Sequence, residues 1–118
     1  MRIAITPGDL VWYTDYQRVY LGRLSPASGQ VRERPSSGGK ESGPYGMTAT
    51  SDGVVWYSES GLSPNTIVRF DLQTEKFTIW PVPSGGGVIR NMAATPQGDI
   101  YIDCSGVNKV GVVRVGKE

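Results

Sequence analysis

Apolar residues along this chain come in short runs, and clusters of Gly, Pro, Ser, Thr and Asp separate them. Three of the runs are written alike: TPGDLVWYTDY (Thr6 to Tyr16), TSDGVVWYSES (Thr50 to Ser60) and TPQGDIYIDCSG (Thr95 to Gly106). In each, a turn leads into an apolar run, an aromatic pair and then a small or acidic residue. Trp12, Trp56 and Tyr101 hold equivalent positions, 44 and then 45 residues apart.

The pattern extends on both sides of this signature. Before it lie MRIAIT (1–6), YGMTAT (45–50) and NMAAT (91–95), and after it YLGRL (20–24), TIVRF (66–70) and KVGVV (109–113). A fourth run occurs twice, as QVRERP (30–35) and KFTIWPVP (76–83). No segment sustains a 3.6-residue apolar period, so helix is expected to be nearly absent. Short β-rich runs bounded by turn residues read as strands. Four antiparallel strands per repeat of about 40–50 residues is the signature of a β-propeller blade. The fold class is therefore all-β, and Trp12, Trp56 and Tyr101 are expected to pack between blades.

With strands A to D labelled in chain order, blade one covers about 1–39 and blade two about 40–86. Blade three, about 87–118, lacks its outer D strand, which gives two and three-quarter blades. Propellers close with about four to eight blades. The B strands LVWY and VVWYS are apolar at consecutive positions, as expected of strands covered on both faces. The partners that would complete a ring are the missing blades of a longer chain, whose N-terminal segment would supply the missing D strand, or copies of the chain itself.

Composition changes the picture mainly by exclusion. Sixteen Gly and eight Pro supply the turns, and 12 basic against 11 acidic residues leave a net charge of +1. Nothing there points to nucleic acid or to an anionic membrane surface. Arg32 and Arg34 alternate with Glu33 on what should be a solvated outer strand. No apolar stretch approaches the ~20 residues that span a bilayer. Residues 1–6 read as a first strand rather than a signal peptide, and the compartment does not follow from the sequence. The single Cys104 makes no internal disulfide. Ser84-Gly85-Gly86-Gly87 lacks the Lys and the helix of a phosphate loop and reads as a flexible connection between blades.

Strand alternation brings the end of each B strand to the start of its A strand on one rim, near the central channel. Three groups should meet there: Asp15 and Tyr16 with Met1 and Arg2; Glu59 and Ser60 with Pro44 and Tyr45; Asp103, Cys104 and Ser105 with Arg90 and Asn91. Loops on such a rim carry ligand specificity, so Asp15, Tyr16, Tyr45, Glu59, Arg90 and Asn91 are candidate ligand-binding residues. Asp15 and Glu59 have a second reading, as carboxylates accepting backbone N–H bonds from the following turn. Arg90 has one as a salt-bridge partner of a neighbouring blade. The sequence contains no histidine, which removes imidazole bases, Ser-His-Asp and Cys-His catalysis and imidazole-bound metals. Chemistry within this chain would rest on carboxylates, Arg90, tyrosines or a hard cation such as Mg²⁺ held through oxygens.

The segment from Asp52 to Pro83, with its Trp-Tyr-Ser-Glu, Ile-Val-Arg-Phe-Asp and Phe-Thr-Ile-Trp-Pro elements, resembles a blade of the streptogramin B lyases, also called virginiamycin B lyases. Leu21-Gly22-Arg23-Leu24 matches that family's Ile-Gly-Arg-Ile strand, and Ser42-Gly43-Pro44-Tyr45-Gly46-Met47 its Ser-x-Pro-x-Gly-Ile lead-in to strand A. The likeness covers essentially the whole chain, and similar blades occur in gluconolactonase-like and other propellers. It implies a seven-bladed ring and a carbon–oxygen lyase that uses Mg²⁺ to open an ester-linked cyclic depsipeptide by elimination, an antibiotic-resistance activity. The family's base and neighbouring catalytic groups include histidines, so no catalytic residue carries over. The acid that ends the signature transfers to Asp15 and Glu59 as a repeat feature. The alternative is a non-catalytic propeller segment that binds a small molecule, a peptide or a partner on the same rim.

Overall fold

The computed structural model describes residues 1–115; residues 116–118, counted above with blade three, lie outside the described residues. Eleven strands form three antiparallel sheets. The first orders β1 (Arg2–Thr6), β2 (Leu10–Asp15), β3 (Tyr20–Ser25) and β4 (Gln30–Pro35). The second orders β5 (Pro44–Ala49), β6 (Val55–Glu59), β7 (Thr66–Phe70) and β8 (Phe77–Pro81). The third holds β9 (Ile89–Ala94), β10 (Ile100–Cys104) and β11 (Lys109–Val113). Each sheet is a plain meander, because every connection joins neighbouring strands. The one helical element among the described residues is a 3₁₀ turn, Ser105–Val107.

The sheets stack face to face, with β1 against β5 and β5 against β9. The inner A strands therefore lie side by side, as propeller blades require. Between sheets one and two are buried Trp12, Leu21, Met47, Val55, Tyr57, Val68 and Phe70. Between sheets two and three are buried Trp56, Ile67, Val82, Ile89, Ile100 and Ile102. Burial of one such side chain contributes about 1.5–3 kcal/mol, so these two seams dominate the cohesion of the stack. All five residues of β6 are buried, since sheet two has a neighbour on each side. In β2, with one neighbour, burial alternates.

The repeated Thr explains part of the repeated signature. Trp12 Nε1 donates to Thr6 Oγ1 at 3.0 Å, and Trp56 Nε1 to Thr50 Oγ1 at 3.2 Å, both buried. A buried indole N–H needs such a partner. Tyr101 departs from expectation. It is 48% exposed, whereas Trp12 and Trp56 are 3% and 4% exposed. It faces outward from sheet three, where no further sheet of the described residues covers it.

The glycine-rich connection is more closely held than its composition implies. Asn65 N–H donates to the Gly85 carbonyl at 2.9 Å, and Val88 N–H donates to Asn65 Oδ1 at 2.8 Å. A side chain at Gly106 would meet the Gly87 carbonyl oxygen at 1.9 Å, so the segment packs directly on the turn after β10. On exposed β4, Arg34 donates at 2.8 Å to Glu75 Oε1 in the turn between β7 and β8.

Candidate functional site

The rim that ends the B strands and begins the A strands is built by one contact made three times. Arg2 N–H donates to Thr14 Oγ1 at 3.2 Å, and Gly46 N–H to Ser58 Oγ at 3.0 Å. In sheet three, Arg90 and Asn91 N–H both donate to Asp103 Oδ1 at 2.9 Å. Thr14, Ser58 and Asp103 are thus equivalent, as are Arg2, Gly46 and Asn91. The hydroxyls also reach the next blade: Thr14 Oγ1 donates to the Tyr45 carbonyl at 2.7 Å and Ser58 Oγ to the Ile89 carbonyl at 2.8 Å. Asp103, an acceptor only when ionised, instead takes the Asn91 Nδ2 amide on Oδ2 at 3.1 Å.

Register shifts at the rim ends of β5–β6 and β9–β10 re-aim the side chains there, as β-bulges do. Five of the six sequence-predicted residues gather at this rim. Arg2 lies over the Tyr45 ring at 4.9 Å, and the Tyr16 ring meets Tyr45 edge-on at 5.6 Å. Arg2 Nε donates to Asn91 Oδ1 at 3.1 Å, joining the first sheet to the third. Arg90 is exposed beside Asn91. Asp15 borders an open cleft of about 530 Å³ that Met1, Tyr16, Gln17 and Tyr45 also line.

Asp15 takes the structural part expected of it. Its Oδ1 accepts Arg18 N–H at 2.9 Å, and its Oδ2 accepts Arg18 Nε at 2.7 Å. These two bonds from Arg18 hold the carboxyl below the usual carboxylate range. Glu59, the sixth residue, has no exposed surface. Its Oε2 accepts Ser36 Oγ at 2.6 Å, Ser37 Oγ at 3.1 Å and Gly38 N–H at 2.7 Å, while Oε1 accepts Thr66 Oγ1 at 3.0 Å. The donors come mostly from the connection leaving sheet one rather than from the following turn. Cys104, at the equivalent position in sheet three, is buried, and desolvation, followed by the nearby Asp103 charge, pushes its thiol up.

Strand order places Arg2 and Asp103 near this rim, but nothing in the sequence marks them as ligand residues. Asp103 stands out in the sequence only once it is aligned with Thr14 and Ser58. Arg2 needs the three-dimensional neighbourhood of Tyr45 and Asn91 to be noticed. Away from the rim, an apolar groove of about 430 Å³ runs between β8 and β11, with Trp80, Val82, Ile102 and Val112 in its walls. It occupies the flank where sheets one and two each carry a fourth strand.

Three stacked meanders, two of four strands and one of three, define a partial β-propeller. Solved structures agree. The chain is similar to a catalytically inactive histidine-to-alanine variant of virginiamycin B lyase from Staphylococcus aureus with quinupristin, at 25% identity and a TM-score of 0.84 over 96% of this chain. It is also similar to selenomethionine-substituted virginiamycin B lyase from the same organism, at 21% identity and a TM-score of 0.77 over 98% of this chain. The chain spans 37% and 41% of the length of those two chains. Hydrazine synthase from Kuenenia stuttgartiensis shares the fold at 16% identity, with a TM-score of 0.79 over 96% of this chain and 32% of its own. Neither a protein-family model nor a curated protein sequence matches the chain.

Proposed function

We propose that this chain is a ligand-binding propeller segment whose rim takes a small molecule or peptide between Arg2, Tyr16, Tyr45 and Asn91. The observation that carries this reading is their convergence: three successive blades each contribute a side chain to one connected cluster beside an open cleft. Such a cleft falls within the volume range of ligand sites, about 300–1,000 Å³. Aromatic faces supply contact area, and the guanidinium supplies orientation.

The lyase reading has its own support in the similarity to virginiamycin B lyase over 96% of the chain. Two features favour binding without that chemistry. The similar structure with quinupristin is a histidine variant without catalytic activity, and this sequence has no histidine. The rim carboxylates also fit a Mg²⁺ site poorly. Asp15 is paired with Arg18, Asp103 is filled by three N–H donors, and Glu59 is sealed among four donors. Among the described residues, no three His, Cys, Asp or Glu side chains stand close enough to share an ion.

Quinupristin is a direct probe. Saturable quenching of rim tyrosine fluorescence, with the cyclic form persisting on chromatography in the presence of Mg²⁺, is the expected result. Loss of the cyclic form would establish the lyase reading instead. No saturable change would remove the binding reading.

The open faces of sheets one and three belong to the same proposal. Ile3, Ile5 and Val31 are exposed on one, and Tyr101, Val110 and Val112 on the other. By register, Ile3 matches buried Met47 and Tyr101 matches buried Trp12 and Trp56. Both faces carry blade-to-blade chemistry, and further blades cover them, whether from a longer chain or from copies of this one.

A further inference from the structure

The Arg2 guanidinium is oriented on three sides. Tyr45 lies beneath it at 4.9 Å, Asn91 Oδ1 accepts from Nε at 3.1 Å, and the Met1 carbonyl accepts from Nη1 at 3.3 Å. Asn91 is itself held, because Asp103 accepts its Nδ2 at 3.1 Å and its backbone N–H at 2.9 Å. That bond fixes which end of the amide faces Arg2. Among the described residues no carboxylate forms an ion pair with Arg2 or with Arg90. Asp103, the acid in this network, already accepts three N–H bonds and none from Arg2. Among the described residues Nη2 has no hydrogen-bond partner, so this edge of the guanidinium is free to take a ligand beside the cleft that Met1 and Tyr45 line.

We propose that Arg2 is the anchor for a ligand carboxylate, and that Tyr16 and Tyr45 receive an aromatic or aliphatic group attached to it. The inference rests on the rim as the binding face and names the ligand class it selects. A guanidinium edge with two parallel N–H donors matches a planar two-oxygen anion. Arg2 lies over Tyr45 at 4.9 Å and Tyr16 meets Tyr45 at 5.6 Å, so a carboxylate on Arg2 and an apolar group on the tyrosines are close enough to belong to one molecule. Asn91 and Asp103 are positioning residues: they act on the ligand by holding the guanidinium.

Three probes separate the possibilities: N-acetylphenylalanine, its primary amide, and inorganic phosphate. Titrations follow the Arg2 Nε–H resonance and the backbone amide spectrum of the full chain. The free acid is expected to bind and shift Arg2 Nε–H, with the amide about tenfold weaker, the scale of one charge-assisted contact. Arg2→Lys, which keeps the charge but loses the fork, is expected to weaken the acid about fivefold, and Asn91→Ala to do so less. An unchanged amide spectrum elsewhere shows that each variant is folded. Equal affinity for acid and amide, no effect of Arg2→Ala, or stronger binding of phosphate would each overturn the carboxylate assignment. If quinupristin binds but acid and amide do not differ, the rim stands and the assignment falls. If the acid binds through Arg2 while quinupristin does not, the reverse holds.

Discussion

Glu59 Oε2 accepts a hydrogen bond from Ser36 Oγ at 2.6 Å, which ties the B strand of the second sheet to the connection leaving the first. Both residues are buried, and every other contact of the carboxylate is also to a donor. Glu59→Gln replaces one acceptor oxygen by an amide that points hydrogens at donors. A buried polar group left unsatisfied costs about 1–3 kcal/mol. Glu59→Gln is therefore expected to lower the unfolding free energy read from urea titration by that order and leave rim affinity for quinupristin unchanged. A loss of affinity at full stability would return Glu59 to the ligand site.

Gly46 stands between Arg2 and Asn91 in the repeat, and its lack of a side chain matters. A Cβ there would lie 2.9 Å from the Ile89 carbonyl oxygen and 3.2 Å from the Asn91 nitrogen. Both are backbone atoms, so β5 and β9 must part to admit it. Gly46→Ala is expected to cost about 1–3 kcal/mol as an overpacked seam and to break the 3.1 Å Arg2–Asn91 bond. Denaturant titration reads the first effect, and the Arg2 Nε–H resonance reads the second. A variant with wild-type values for both would refute the close approach of the inner strands.

Much of this fold was legible in the sequence because a propeller blade repeats its chemistry. β4, β7 and β11 fall where the apolar runs place them, and the Trp–Thr pairs recur with the period. The meander order follows from short turns alone. The rim was legible as a place, since alternating strands bring Asp15, Tyr45 and Asn91 to one end. What each side chain does there was not. Asp15 and Glu59 occupy one repeat position, yet Asp15 pairs with Arg18 beside the cleft and Glu59 is sealed by serines from another blade. That difference depends on the path of the connection at 36–38, which the periodic pattern does not encode. Tyr101 shows the same limit from the other side: its type predicts packing, and its exposure depends on whether a further sheet lies against it.

Alkaline pH offers a test of the buried seam. Burial pushes the Tyr57 phenol from its ordinary value of 10.0 up to about 12. Between those values the unfolded chain releases the Tyr57 proton while the native chain keeps it. Stability from this group is thus complete below pH 10 and declines as pH rises toward 12, by roughly 1.4 kcal/mol per pH unit. Urea midpoints across that window are expected to fall more steeply for wild type than for Tyr57→Phe, which has no proton to lose. Parallel curves would mean that Tyr57 is open to solvent.

The two open faces make the last prediction, because exposed apolar sheet faces drive association. Ile5 is 62% exposed on the first sheet and Val110 is 77% exposed on the third, while the residues at matching positions inside the stack pack against a neighbour. A chain purified alone is expected to exceed its monomer mass of 12.8 kDa in light scattering and to do so more at higher concentration. Ile5→Lys and Val110→Lys place a charge on each face without touching either seam. Each is expected to shift the mass toward monomer while the far-ultraviolet β-sheet spectrum is kept, and the double variant to shift it further. A wild-type chain that stays monomeric at all concentrations, with no binding of an apolar dye, would show that these faces are stable in water and that no further blade is needed to cover them.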